Sequence, residues 1–134
     1  MENIKEYLQN ALLPFELSCK DKQAERFQQY AEELVEWNSK MNLTAITEPE
    51  DIAVKHFADS VAIFSFIDVP KDAKVIDVGT GAGFPGIPMK IMQNDIELTL
   101  LDSLNKRITY LDHVASVLEL PVKTIHSRAE EGSR

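Results

Sequence analysis

Val75-Ile76-Asp77-Val78-Gly79-Thr80-Gly81-Ala82-Gly83-Phe84-Pro85-Gly86 is the stretch that decides the fold. Residues of strand character run straight into a glycine-rich turn, and Ile87 to Met92 continue as a helix. A second apolar run comes next, Leu98-Thr99-Leu100-Leu101, ending in Asp102. Strand, glycine turn, helix, second strand and terminal acid together make a nucleotide-binding half-site. The glycines allow positive φ and a close approach of backbone to a ligand. An acid at the end of the second strand can take both ribose hydroxyls. The expected ligand contains adenosine.

The glycine register narrows that ligand. A dinucleotide fingerprint needs glycines at relative positions one, three and six. Counted from Gly79 the sixth position is Phe84, so that register fails. Gly81, Gly83 and Gly86 satisfy it formally, but begin past the strand end and place Pro85 inside the turn. The register that starts at the strand is the alternating Gly79, Gly81, Gly83, preceded by Asp77. It suits a methionine-bearing nucleoside without pyrophosphate: Asp77 draws in the ammonium or sulfonium end, the glycines pass beneath, and Asp102 holds the ribose. An ordinary strand-to-helix turn rarely needs three alternating glycines.

Outward from this stretch, the chain reads as two parts. Residues 74–78, 97–101 and 122–126 are predicted strands, and 84–93 and 103–118 predicted helices. Parallel strands joined by right-handed crossovers give the order 3-2-1, half of a doubly wound sheet. The nearly alternation-free Val-Ile-Asp-Val suits a buried central strand; without more chain its far edge is open and prone to self-association. The 134 residues therefore read as the front of a longer protein, with the N-terminal helices or a partner as other ways to cover that edge. A full-length chain is expected to be a monomer. Residues 1–70 form a predicted helical module and 71–134 the front of the α/β domain. Ile4, Leu8, Ala11 and Leu12 recur at helical spacing until Pro14. Ser18-x-x-Asp21 reads as a capping box opening a long helix that buries Ala24, Phe27, Ala31, Leu34, Val35 and Met41. Thr47-Glu48-Pro49-Glu50 reads as a second capping box, before a helix carrying Ile52, Ala53, His56, Phe57, Ser60, Ile63 and Phe64.

Composition bounds the function classes. The net charge of -8 argues against a generally cationic nucleic-acid binder and leaves room only for local basic patches. Candidates are Lys40, Lys55, Lys90, Lys106 and Arg107. No apolar run approaches the roughly 20 residues of a membrane span, and the charged start Met1-Glu2-Asn3-Ile4-Lys5-Glu6 lacks signal-peptide order. A cytoplasmic location is expected. The lone Cys19 has no disulfide partner in the chain and reads as a bystander. His56, His113 and His126 lack metal-ligand spacing, so no metal is expected.

Several segments carry a resemblance. They are Trp37-Asn38-x-x-Met41-Asn42-Leu43-Thr44-Ala45-Ile46-Thr47, Lys55-His56-Phe57-x-Asp59-Ser60, the glycine stretch through Ile87-Pro88, Leu98 to Asp102 with Ser103-Leu104-x-Lys106-Arg107, and Arg128-Ala129-Glu130. In this order the chain resembles the glucose-inhibited division protein B family, bacterial small-subunit (16S) ribosomal RNA guanine-N7 methyltransferases. The resemblance implies a class I methyltransferase (Rossmann-like) α/β sheet, incomplete here and preceded by a helical module, using S-adenosyl-L-methionine. It implies that Gly79, Gly81, Gly83 and Phe84 line the cofactor turn and that Asp102, Ser103 and Leu104 take the ribose and adenine side. Ala129 and Glu130 correspond to family positions at the adenine ring, and Asn38, Asn42, His56 and Asp59 to positions near the cofactor mouth. The implied partner is 16S rRNA or the small ribosomal subunit. The family pattern continues beyond Arg134 with further strands.

The implied chemistry needs no general base, because guanine N7 has an in-plane lone pair and no proton. Positioning for in-line displacement at a sulfonium methyl is sufficient, and no catalytic residue is singled out. N7 lies in the deep major groove of A-form RNA, so a loop or distorted region is the expected target. Lys40, Lys55 and Lys90 are candidate phosphate contacts. His56 and Asp59 resemble an acid–base pair, or equally a hydrogen-bonded structural pair. Trp37 reads as core beside Leu34, or as a stacking surface for a base. A nicotinamide-dependent oxidoreductase using Gly81, Gly83, Gly86 and Asp102 is one competing reading, and a non-catalytic cofactor-binding or interaction fragment is another.

Overall fold

The computed structural model describes residues 1–127. The chain divides into two compact units, Met1–Val69 and Pro70–Arg134.

The first unit is helical. α1 (Lys5–Leu12) runs into a 3-10 turn at Leu13–Phe15, where Pro14 ends the α pattern. α2 (Asp21–Asn38) does not start from the expected box at Ser18: Lys20 is the cap, in extended backbone, and the Gln23 side-chain oxygen accepts its N–H at 2.8 Å. α3 covers 49–65 with three geometries. An α turn (Pro49–Asp51) precedes a π segment (Ile52–Ala58), then an α turn (Asp59–Val61) and a 3-10 end (Ala62–Ser65). Glu48, not Thr47, is its cap, and no side chain bonds the helix start.

The π segment revises the expected core. Its i→i+5 bonds put more residues in each turn and rotate the helix face beyond it. Ala58 and Val61 are therefore buried, whereas Ile63 is 41% exposed. Tyr30 and Phe57 stack at 5.2 Å, and Phe27 and Phe57 meet at 4.9 Å. Ile4, Leu8, Leu12, Leu34 and Ile52 complete this core. Gln28 Oε1 accepts the Ile4 N–H at 2.8 Å and ties the start of the chain to α2.

The second unit is the predicted parallel sheet. β1 (Lys74–Val78), α4 (Gly86–Met92), β2 (Glu97–Asp102), α5 (Asn105–Val117) and β3 (Lys123–His126) come in order. The strands lie side by side as β1-β2-β3, so β2 is central. Asp77, Leu100 and Thr124 are in register and share one face. α4 starts against Leu98 and Leu100, and Thr124 donates to Asp112 of α5 at 2.6 Å, so both helices cover that face. Among the described residues β1 is an edge, as expected of three strands without more chain, but the burial its composition suggests is not met on one face, where Ile76 is 65% and Val78 55% exposed. None of the described helices is long and apolar enough to cross a membrane.

Candidate functional site

The strand ends Val78, Asp102 and His126 lie at the same end of the parallel sheet. In open α/β sheets this carboxyl end is where ligands bind. Gly79, Gly81 and Gly83 all have positive φ, at 67°, 59° and 105°. The turn they build is anchored at its start, where the Gly79 and Thr80 N–H groups donate to Leu101 O at 2.8 and 3.2 Å. No atom lies within 4 Å of where a Cβ would stand at Gly79 or Gly81. The space over the turn at these two glycines is open.

Asp77 and Thr80 brace the turn from within. Thr80 Oγ1 donates to Asp77 Oδ2 at 2.7 Å, and the Gly86 N–H donates to the same oxygen at 2.9 Å. Partial burial raises the Asp77 carboxyl above its ordinary range, while the Thr80 and Gly86 bonds pull it back. Both of these hydrogen bonds go to Oδ2 rather than Oδ1. Thr80 and Gly86 are the participants the sequence reading missed. Gly86 is a packing glycine: a Cβ there would stand 2.8 Å from Leu100 Cδ2 and 2.9 Å from Asp77 Oδ2. Its place nine residues after Asp77, at the start of the helix, was the available signal.

Asp102 is where the structure adds most. Its side chain is 2% exposed, Oδ2 accepts the Gly81 N–H at 2.9 Å, and Oδ1 accepts the Leu104 N–H at 2.9 Å. Arg107 Nη1 stands 3.6 Å from Oδ1. The expected acceptor of ribose hydroxyls is thus already engaged by two backbone amides. Ser103 and Leu104 are exposed beside it. The His126 ring Nε2 is 3.0 Å from Ser103 O, and the Ser127 N–H donates to Asp102 O at 3.0 Å. Phe84 is half-buried at the end of the turn. Ala129 and Glu130 lie outside the described residues.

Lys90 is a correction. Its side chain is not at a surface: the residue is 4% exposed, and Nζ donates to Ile96 O at 2.6 Å and to Asn94 O. It caps the carbonyls between α4 and β2, a task that needs a long donor inside the fold. A phosphate has no access to it. Lys55 pairs with Asp51 at 3.6 Å, one turn earlier.

In the first unit, Asn38 ends α2 and organises the loop between α2 and α3. Its Oδ1 accepts the Leu43 and Thr44 N–H groups at 2.8 and 2.9 Å. Thr44 Oγ1 accepts the Ile46 N–H at 3.0 Å and lies 2.7 Å from His56 Nε2. Partial burial lowers the His56 pKa, with Asp59 pulling the other way. Thr44, a partner of His56 in this network, was not singled out in the sequence reading. Asn42, Asp59 and Lys40 are exposed. Lys40 Nζ stands 5.3 Å from the centre of the partly exposed Trp37 ring, a cation–π contact. Burial pushes the Cys19 thiol up to about 11, so it stays protonated and unreactive at neutral pH.

Comparison with known proteins gives a consistent answer. The family model described as rRNA small subunit methyltransferase G matches residues 23–134. Proteins named ribosomal RNA small subunit methyltransferase G are similar along most of the chain. One from Clostridium perfringens (strain 13 / Type A) is 58% identical over 111 residues, covering 82% of this chain and 46% of the relative. One from Staphylococcus carnosus is 48% identical over 126 residues, covering 93% and 52%. One from Desulforamulus reducens is 45% identical over 132 residues, covering 98% and 55%. The chain spans about half the length of the curated relatives it matches.

Proposed function

Because this chain belongs to the rRNA small subunit methyltransferase G family, we propose that its second unit carries the S-adenosyl-L-methionine site of a guanine-N7 methyltransferase acting on 16S rRNA in the cytoplasm. The observation that carries the reading is the open cradle over Gly79 and Gly81 at the carboxyl end of β1, with Asp77 behind it and Asp102 beside it. The residues fit the group. Gly79, Gly81, Gly83 and Phe84 underlie it, Asp77 Oδ1 faces its cationic end, and Asp102, Ser103 and Leu104 close the adenosine side. Ala129 and Glu130 join this set by resemblance alone.

When bound, the cofactor supplies an activated methyl on a sulfonium. This chain's task is to hold and orient. Guanine N7 presents its own lone pair, so no side chain has to remove a proton, and orientation alone can supply much of the rate. In the first unit, Lys40 beside Trp37, with exposed Asn42 and Asp59, is the surface proposed to meet RNA. Asn38 and His56 hold that segment in shape through Thr44. No metal and no membrane enter the reading. The nicotinamide reading is disfavoured because Gly86 packs against β2 and the open space lies over Gly79 and Gly81.

Calorimetric titration with S-adenosylmethionine and with NAD tests the proposal. Saturable binding of the first near one per chain, abolished in Gly81→Arg, is the expected result. Preference for NAD, or unchanged affinity in Gly81→Arg, overturns it. Absence of binding in the chain as it stands favours the reading as a non-catalytic fragment.

A further inference from the structure

The first unit holds a groove of about 440 Å³ between α1 and α3, within the roughly 300–1,000 Å³ of ligand sites. Tyr7 and Ala11 line it from α1, with Phe15 from the 3-10 turn that follows. Residues four apart share a helix face, so these three make one row. Glu50, Val54 and Asp59 line the groove from α3. The steps along α3 are four residues and then five. In an α-helix of 3.6 residues per turn, a residue five places on lies well round the face. The π segment Ile52–Ala58, with its i→i+5 bonds, brings Asp59 back beside Val54. Such π turns inside α-helices occur frequently at functional sites.

The groove is apolar with an acidic border. Val54 is 42% exposed and Tyr7 and Phe15 are half-buried, so apolar surface is open to solvent there. Glu50 and Asp59 are exposed and form no salt bridge among the described residues. No Lys, Arg or His is among the described residues that line the groove. The Tyr7 hydroxyl donates to Glu2, and that bond raises the phenol above its ordinary range, with Glu50 and Glu6 adding to the effect. His56 acts on Asp59, but burial lowers the His56 pKa, so at neutral pH it offers little counter-charge.

We propose that this groove docks an arginine- or lysine-bearing segment of a basic protein, with alkyl stems against Tyr7, Phe15 and Val54 and cationic heads at Glu50 and Asp59. Long basic side chains bury their stems along apolar surface while the charged head stays in water. Arginine meets carboxylates through two parallel hydrogen bonds. A phosphate-bearing strand is repelled by the same carboxylates and by the net charge of -8. Lysine and arginine are what proteins use to neutralise phosphates, so a particle of rRNA and protein presents such segments. Asp59 then belongs to the edge shared by this groove and the surface proposed to meet RNA. The inference does not depend on the cofactor site, and its test needs no cofactor.

Fluorescence anisotropy with the whole chain tests it, using a short labelled peptide of alternating arginine and leucine at physiological salt. Saturable binding is expected, weakened about fivefold in Glu50→Gln and in Asp59→Asn. Val54→Ser, which removes apolar surface and no charge, is also expected to weaken it. Glu36→Gln removes the same charge from an exposed position on α2 that does not line the groove. Its affinity is expected to stay near that of the wild type, because salt screens charges beyond about 8 Å. All four positions are exposed, and circular dichroism verifies that each variant folds. In the wild type, amide shifts induced by the peptide are expected on α1 and α3. Equal losses in Glu50→Gln and Glu36→Gln overturn the proposal, because net charge then accounts for the binding. An RNA oligonucleotide that binds more tightly and shifts the same amides also overturns it. Arginine amide that binds as tightly as the peptide assigns the groove to small amines instead, and absence of saturable peptide binding rules out the docking altogether.

Discussion

Gly86→Ala is the substitution for which the structure gives the most definite expectation. The added methyl would stand 2.8 Å from Leu100 Cδ2, 2.9 Å from Asp77 Oδ2 and 3.1 Å from Leu98 Cδ1. Ordinary carbon contacts need about 3.5–4.0 Å, so the start of α4 must retreat from β2 by roughly half an ångström or more. Overpacking of this kind costs about 1–3 kcal/mol. The retreat also stretches the 2.9 Å bond from the Gly86 N–H to Asp77. Against this stands the better helix propensity of Ala, at most about 1 kcal/mol and less at a first helical position. The balance is a loss of about 2 kcal/mol. For a unit of this size that lowers the melting temperature by roughly 10 °C. Thermal unfolding by circular dichroism measures it, and urea unfolding should show a lower midpoint at unchanged slope. Gly81→Ala is the control: its Cβ meets nothing within 4 Å, so it carries only the left-handed backbone cost of about 1–2 kcal/mol. A Gly86→Ala protein as stable as wild type, or clearly more stable than Gly81→Ala, would refute the packing role and the geometry of α4 on β2.

Three further outcomes are expected. Lys90→Met leaves the Asn94 and Ile96 carbonyls without their buried donor, costs about 2–3 kcal/mol in unfolding experiments, and leaves the salt dependence of RNA binding unchanged; a reduced salt slope would return Lys90 to the surface. Asn38→Ala frees the Leu43 and Thr44 amides and costs about 1–2 kcal/mol, whereas Asn38→Asp, which keeps an acceptor, recovers most of it. For His56 the folded pKa lies below the ordinary 6.5 because of burial. The unfolded chain therefore takes up the proton first, and His56 reduces stability as pH falls below 6.5, an effect absent above it. Urea midpoints of wild type and His56→Gln across mildly acidic to neutral pH test this, and identical pH slopes would remove His56 from the account.

Much of the second unit was legible because its signals are local. A four-residue strand can be read from Val75 to Val78, a turn from three alternating glycines, and a parallel order from helices separating the strands. The helix boundaries differ from the structure by two residues or fewer at 86–92 and 105–117. The first unit was legible as helices but not in their faces. A π segment at Ile52–Ala58 has no propensity signature, and it moved burial from Ile63 to Ala58 and Val61. Caps misled for a related reason. Ser18 and Thr47 have the right side chains, but a cap works only where the chain bends into the helix, and that happens at Lys20 and Glu48.

The sequence by itself determined the family and the alternating glycine turn after the first strand, because those rest on residue type and spacing along the chain. Tertiary structure alone decided what each polar group does. Lys90 and Lys40 are both lysines on or beside helices, yet one caps buried carbonyls and the other lies over an indole. Asp102 could be placed at a strand end from the sequence, but not that its oxygens hold Gly81 and Leu104. Partners separated by twenty-one residues become neighbours only when a crossover brings two strands side by side, and burial and hydrogen bonding are set by that neighbourhood.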